Sequence, residues 1–119
     1  MKLATESHRP ARGDIWLVNF NPGRGSEQQG IRPALVVQND VGNQFAATTI
    51  VAAITTTIKP YPVTVVFRPG TCGLPRDSMV NLARILTVDK QRLIRRLGRL
   101  TPELQTAVNH ALRISLALD

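Results

Sequence analysis

An α+β fold dominated by strands, built as a small antiparallel barrel with appended helices, is what this sequence predicts. Three observations carry that expectation. Strand-like segments come first and helical patterning comes last. The connections between the strands are short and non-helical, which excludes a βαβ parallel sheet. The chain has 119 residues, 43% of them apolar, enough for one core and not for two.

The elements follow in order. Residues 1–11 are polar, lack the apolar centre of a secretory signal, and read as a mobile N-terminal tail before a single domain over 12–119. Arg12 to Phe20 (RGDIWLVNF) alternates Trp16, Val18 and Phe20 with Ile15, Leu17 and Asn19, a strand apolar enough to be covered on much of both faces. Asn21 to Pro33 (NPGRGSEQQGIRP) is rich in glycine and proline and reads as a long loop. Pro33 biases Arg32 toward extended geometry and opens a second strand, Ala34 to Asn39. Asp40 to Ala47 reads as a turn, and Thr49 to Thr55 (TIVAAIT) as a third, largely buried strand.

After a turn at Lys59 to Pro62, Val63, Val65 and Phe67 alternate with Thr64, Val66 and Arg68 in a fourth strand. Gly70 to Pro75 is a turn, and Ser78 to Leu86 forms one or two short strands. Asp89 to Leu97 reads as a short helix stopping at Gly98, with Leu93, Ile94 and Leu97 opposing Arg92, Arg95, Arg96 and Arg99. Thr101 is placed to cap a final helix with Pro102 in its first turn. Its apolar stripe is Leu104, Val108, Ala111, Ile114 and Leu118.

Charge narrows the partners. Fifteen Lys and Arg against eight Asp and Glu give a net charge of +7, and twelve of the fifteen are arginine. Arginine presents a planar fork of donors suited to phosphate, where lysine is a point charge. On charge alone, a nucleic-acid partner and a merely basic, soluble surface explain this equally well. No stretch approaches the roughly 20 apolar residues of a membrane span. A single cysteine, Cys72, builds no internal disulfide, which fits the cytoplasm.

Several chemistries find no support. His8 and His110 stand without a second ligand at helical spacing, and there is no CxxC pair, so no metal site or cofactor is expected. Gly23-Arg24-Gly25-Ser26 lacks the spacing of a nucleotide-binding loop. What remains is the loop Gly25 to Pro33. Ser26, Glu27, Gln28 and Gln29 stand there between glycines, followed by Arg32 at the mouth of an apolar strand. An arginine so placed can bind phosphate bidentately, or can pair with Asp40 or Glu27 for structure. Thr55 ends the third strand, with its hydroxyl facing either the same groove or the turn.

Taken together, these segments resemble the MazF/PemK family of toxin endoribonucleases. The resemblance is carried by RGDIWLVNFNPGRGSEQQGIRPALVVQND (Arg12 to Asp40), TIVAAIT (Thr49 to Thr55), RDSMVNL (Arg76 to Leu82) and TVDKQRL (Thr87 to Leu93). It implies a Src-homology-3-like barrel of the CcdB/PemK type, working as a homodimer, neutralised by a cognate MazE-like antitoxin. It further implies metal-independent, sequence-specific cutting of single-stranded RNA such as mRNA. The family's catalytic arginine falls on Arg32 and its catalytic threonine on Thr55. Ser26, Glu27, Gln28, Gln29 and Asn39 fall at positions that bind substrate. One departure stands out. Where many members carry an acidic residue, Gln, an aliphatic residue and then Lys or Arg, this chain reads Ala83-Arg84-Ile85-Leu86. Two alternatives share the fold: a CcdB-like inhibitor of DNA gyrase, and a non-catalytic RNA-binding barrel.

Overall fold

A computed structural model describes residues 9–22 and 30–119. Six strands form one antiparallel sheet: β1 (Asp14–Asn19), β2 (Ile31–Val36), β3 (Thr48–Thr55), β4 (Thr64–Phe67), β5 (Ser78–Asp89) and β6 (Leu93–Arg99). Helix α1 (Asp40–Phe45) joins β2 to β3, and α2 (Pro102–Ser115) follows β6. The strand order is β4-β5-β3-β2-β1-β6, so β4 and β6 are the two edges.

Alternation along the strands splits the apolar side chains between two cores. Ile15, Leu35, Ala52, Ile54, Phe67, Val80 and Leu82 face one side, where Val108, Ala111 and Leu112 of α2 cover them. Trp16, Val18, Phe20, Ala34, Val36, Val51, Val88 and Leu93 pack together on the other. This is why β1 reads as apolar on both faces. Thr101 caps α2 as its sequence suggests, with its hydroxyl accepting from Leu104 N at 3.3 Å. The helix buries less of the expected stripe, however. Ile114 and Leu118 are 45% and 58% exposed, and the contact surface is Leu104, Val108, Ala111 and Leu112.

Two glycines bring the sheet edges together. A Cβ on Gly98, in β6, would lie 2.1 Å from the carbonyl oxygen of Cys72. One on Gly73 would lie 2.0 Å from that of Leu97. The turn after β4 is therefore in backbone contact with β6, and the curled sheet approaches a barrel. Gly73 also needs its positive φ of 79°, which side-chain-bearing residues rarely adopt.

Three sequence expectations are corrected. Asp40 to Phe45 is a helical turn and a half, not a plain turn, nucleated by its cap Asn39. β2 begins at Ile31, ahead of Pro33, because Asn19 to Leu17 of β1 pair with Ile31 to Pro33. The stretch from Asp89 to Leu97 is not a helix. A single 3-10 turn at Lys90–Arg92 leads into β6, which pairs with β1. Register shifts between Ile15 and Trp16 and between Leu17 and Val18 bulge Leu97 and Ile94 out of the ladder. The bulges erase period-two alternation and leave an apolar spacing that mimics a helix. Gly98 serves a close backbone approach rather than a helix end.

Of the arginines of that stretch, Arg92 ends the 3-10 turn and Arg95, Arg96 and Arg99 lie in β6, and three of the four have local structural partners. Asp14 is 1% exposed and accepts from Ala11 N at 2.9 Å, Trp16 Nε1 at 3.2 Å and Arg99 Nε at 3.3 Å. Arg96 stands 3.9 Å from the same carboxylate, and Arg92 donates to the carbonyls of Asn19 and Asn21. Arg95 is exposed.

Gly98→Ala is expected to force the Cys72–Gly73 turn off β6 and to cost about 1–3 kcal/mol. Urea denaturation measures this, and an unchanged midpoint would show that the edges do not depend on that contact.

Candidate functional site

The site is set by the register of β2 on β3. Val36, Leu35 and Ala34 pair with Val51, Ala52 and Ala53, and the ladder stops there. The next residue is Pro33, which has no N–H to offer a neighbouring strand. Carried past the last pair, the same register sets Arg32 across from Thr55, on the face that bears Ala34 and Ala53. Proline thus coincides with the opening of the ladder, and the open end holds the two residues singled out by sequence.

Both line one groove of about 350 Å³, together with Ala53, Thr57, Lys59, Tyr61, Met79, Asn81 and Arg84. Thr55 is half-buried, and its Oγ1 accepts from Thr57 N at 3.0 Å, so the hydroxyl proton is the group it can donate. Lys59 N donates to the sulfur of Met79 at 3.4 Å, holding the β3–β4 connection against β5. Tyr61 is 50% exposed, and its hydroxyl accepts from Asn81 Nδ2 at 2.6 Å. Asn81 Oδ1 in turn accepts from Ala83 N at 2.9 Å. These bonds stabilise an irregularity in β5, where Ile85 pairs with Ala52 but Val80 with Ile54. Between those pairs, Asn81 to Arg84 depart from the ladder, and Arg84 reaches the groove.

The electrostatics are one-sided. Arg32, Lys59 and Arg84 line the groove, and no carboxylate does among the described residues. Such a concavity favours an anion, and the exposed face of Tyr61 offers a base a surface to stack on. A second concavity of about 420 Å³ lies where α2 crosses the sheet. Its walls include Val37, Ile50, Ile85, Leu112 and Leu116, and the guanidinium of Arg12 there donates to Asn109 at 2.9 Å. The groove at Arg32 has the chemistry for a phosphate. Among the described residues, no group of three or more His, Cys, Asp or Glu is placed to hold a metal ion.

The remaining expected site residues fare differently. Ser26, Glu27, Gln28 and Gln29 lie outside the described residues. Asn39 is engaged as the α1 cap, its Oδ1 accepting from Gly42 N at 2.8 Å. Asp40, a possible structural partner for Arg32, accepts from Arg12 N at 2.7 Å and Asn43 Nδ2 at 3.2 Å. Those two bonds hold its carboxyl below the usual carboxylate range, Arg12 N foremost. His110 is exposed on α2, and the half-buried Cys72 thiol has its pKa raised by burial. Lys59, Tyr61 and Asn81 were not singled out from sequence. Arg84 left a trace only as part of the departure Ala83-Arg84.

A small antiparallel barrel with appended helices and a cationic groove at one ladder's open end defines a compact domain suited to an anionic ligand. Residues 11–116 match the family of PemK-like, MazF-like toxins of type II toxin-antitoxin systems, and the chain belongs to it. It is 47% identical over 109 residues to endoribonuclease EndoA of Bacillus subtilis (strain 168), spanning 90% of this chain and 94% of that protein. It is 43% identical over 109 residues to endoribonuclease MazF of Staphylococcus saprophyticus, spanning 90% and 91%. Among solved structures, it resembles an endoribonuclease in complex with its cognate antitoxin from mycobacterial species. That match has a TM-score of 0.79 and 29% identity, and covers 92% of this chain and 97% of the other. The gyrase-inhibitor alternative gains no support from these relatives. No described helix is long and apolar enough to cross a membrane.

Asn39→Ala is expected to lower stability by about 1 kcal/mol through the lost cap, while Asn39→Ser restores most of it. Denaturation of both variants, with RNA binding measured alongside, separates the two roles. Unimpaired stability in Asn39→Ala together with lost RNA binding would make Asn39 a substrate contact instead.

Proposed function

We propose that this protein is the toxin of a type II toxin-antitoxin system and cuts single-stranded RNA, including mRNA, at specific sequences without a metal ion. The single observation that carries the reading is the convergence of Arg32 and Thr55 in one cationic groove across the open β2–β3 ladder. The two relatives named as endoribonucleases, each spanning nearly the whole chain, support the same activity.

In the proposed reaction the ribose 2′-oxygen attacks the adjacent phosphorus as its proton passes to Glu27 or a water molecule. The P–O5′ bond then breaks and O5′ takes up a proton. The products are a 2′,3′-cyclic phosphate and a free 5′-hydroxyl, so DNA is not cut. Negative charge accumulates on the phosphorane oxygens. A guanidinium, which keeps its charge and has no acceptor for a proton, is better suited to stabilising that charge than to exchanging protons. Arg32 takes this part, and Thr55 donates a hydrogen bond to a phosphate oxygen. Stacking on Tyr61 holds an unstacked base beside the cut. The active form is a homodimer, and a MazE-like antitoxin neutralises it.

The test is incubation of the purified protein with mixed-sequence RNA in the presence of a chelator, followed by mapping of the cut ends. Cleavage is expected to persist and to leave cyclic phosphates. Arg32→Ala is expected to slow it by about 10²–10³. A wild-type rate in that variant removes Arg32 from the chemistry, and loss of cleavage with the chelator overturns the metal-free reaction.

A further inference from the structure

Arg84 stands in the groove, exposed, and makes no hydrogen bond or ion pair among the described residues. Leu86 pairs with Val51 and Ile85 with Ala52, and there the register breaks, so Arg84 leaves the ladder. It lines the same groove as Arg32, Ala53 and Thr55. The Asn81 bonds to Ala83 N and Tyr61 brace the irregularity just before it.

β3, which bears Ala53 and Thr55, lies between β2 with Arg32 and β5 with Arg84. Arg32 and Arg84 thus enter the groove from opposite sides of β3. A chain laid through the groove meets the two cations in succession. Lys59 and Arg84 add positive charge to the groove that Arg32 lines, and a polyanion is drawn there at more than one of its charges. Reading a base edge needs a guanidinium held in a defined plane. No side chain among the described residues holds Arg84 in one, so a phosphate suits it better.

We propose that Arg84 grips a backbone phosphate neighbouring the scissile one and positions the RNA strand without taking part in the chemistry. The inference rests on the endoribonuclease reading of the same groove. It makes Arg84 a substrate contact of this chain at a position where the sequence departs from its family's usual residues.

The experiment measures the Kd of a mixed-sequence 2′-O-methyl oligoribonucleotide, which cannot form a cyclic phosphate, over a series of KCl concentrations. Arg84→Gln is expected to weaken binding and to make the slope of log Kd against log salt shallower by about 0.7, one single-strand phosphate contact. Arg84→Lys is expected to retain the wild-type slope. In cleavage of unmodified RNA, Arg84→Gln is expected to raise KM and leave kcat nearly unchanged. An unaltered slope in Arg84→Gln overturns the proposal, as does a fall in kcat with KM unchanged. A changed base preference at an unaltered slope also overturns it, in favour of base reading. A wild-type protein that binds this probe but cuts no RNA overturns the endoribonuclease reading alone, because the slope comparison still decides the role of Arg84. A wild-type protein that does not bind the probe overturns both.

Discussion

The buried amide of Asn43 fixes the one register on which the groove depends. Asn43 is 2% exposed and makes four hydrogen bonds with good geometry. Its Nδ2 donates to Gln38 O at 2.9 Å and to Asp40 Oδ1 at 3.2 Å. Its Oδ1 accepts from Gln38 Nε2 at 3.0 Å and from the buried hydroxyl of Thr49 at 2.8 Å. Gln38 lies just after β2, and Thr49 lies in β3. The amide therefore ties the end of one strand to the start of the next. An unsatisfied polar group in such a place costs about 1–3 kcal/mol, so a one-residue slip would be penalised at several atoms at once. It would also turn Thr55 to the opposite face from Arg32.

The network extends beyond that connection. The Lys90 ammonium donates to the Asn43 carbonyl, and Lys90 N donates to Ala47 O at 3.0 Å. Burial lowers the pKa of that ammonium below its ordinary value. Arg12 N bonds Asp40, and the Arg12 side chain reaches Asn109 on α2. The start of β1, the β2–β3 connection, the β5–β6 turn and the last helix thus meet at one end of the sheet. The open end of the β2–β3 ladder lies at the other. Order at one end and an unpaired ladder at the other are consistent demands on the same two strands. Pro33 enforces the second, since it has no N–H with which to extend the pairing.

Much of this was legible in the sequence wherever local pattern and tertiary pairing agree. β1, β3 and the capped α2 were read correctly because their apolar spacing is regular and Thr101-Pro102 is an unambiguous start. Arg32 and Thr55, which share one groove, stand out in the sequence only through an ordered set of segments, and neither residue is distinctive alone. β6 was lost because two bulges remove the alternation that identifies a strand. Helix α1 was lost because six residues containing a glycine look like a turn until the buried Asn43 is known. Lys59, Tyr61 and Asn81 were invisible for a related reason. Asn81 stands where β5 parts from β3, and Lys59 and Tyr61 reach the groove from the β3–β4 connection, which no single-strand pattern announces.

The bonds that maintain the fold and the side chains that face the groove are largely different residues. Asn43, Asp14 and the Gly73–Gly98 contact are buried or tightly packed, and each is satisfied within the chain. Thr57, Lys59, Tyr61 and Arg84, by contrast, are exposed. Substitution at an exposed position with no partner usually changes stability by about 0.5 kcal/mol or less. Among the described residues Arg84 meets that condition, so Ala83-Arg84 at this place costs the barrel little. It nevertheless alters the charge that an incoming strand meets. Tyr61 is less free, because its hydroxyl holds Asn81 and through it the bend that presents Arg84. The groove therefore has a fixed pair, Arg32 and Thr55, set by strand register, and a variable rim set by a bulge. A barrel built this way can keep Arg32 and Thr55 in place while its rim diverges.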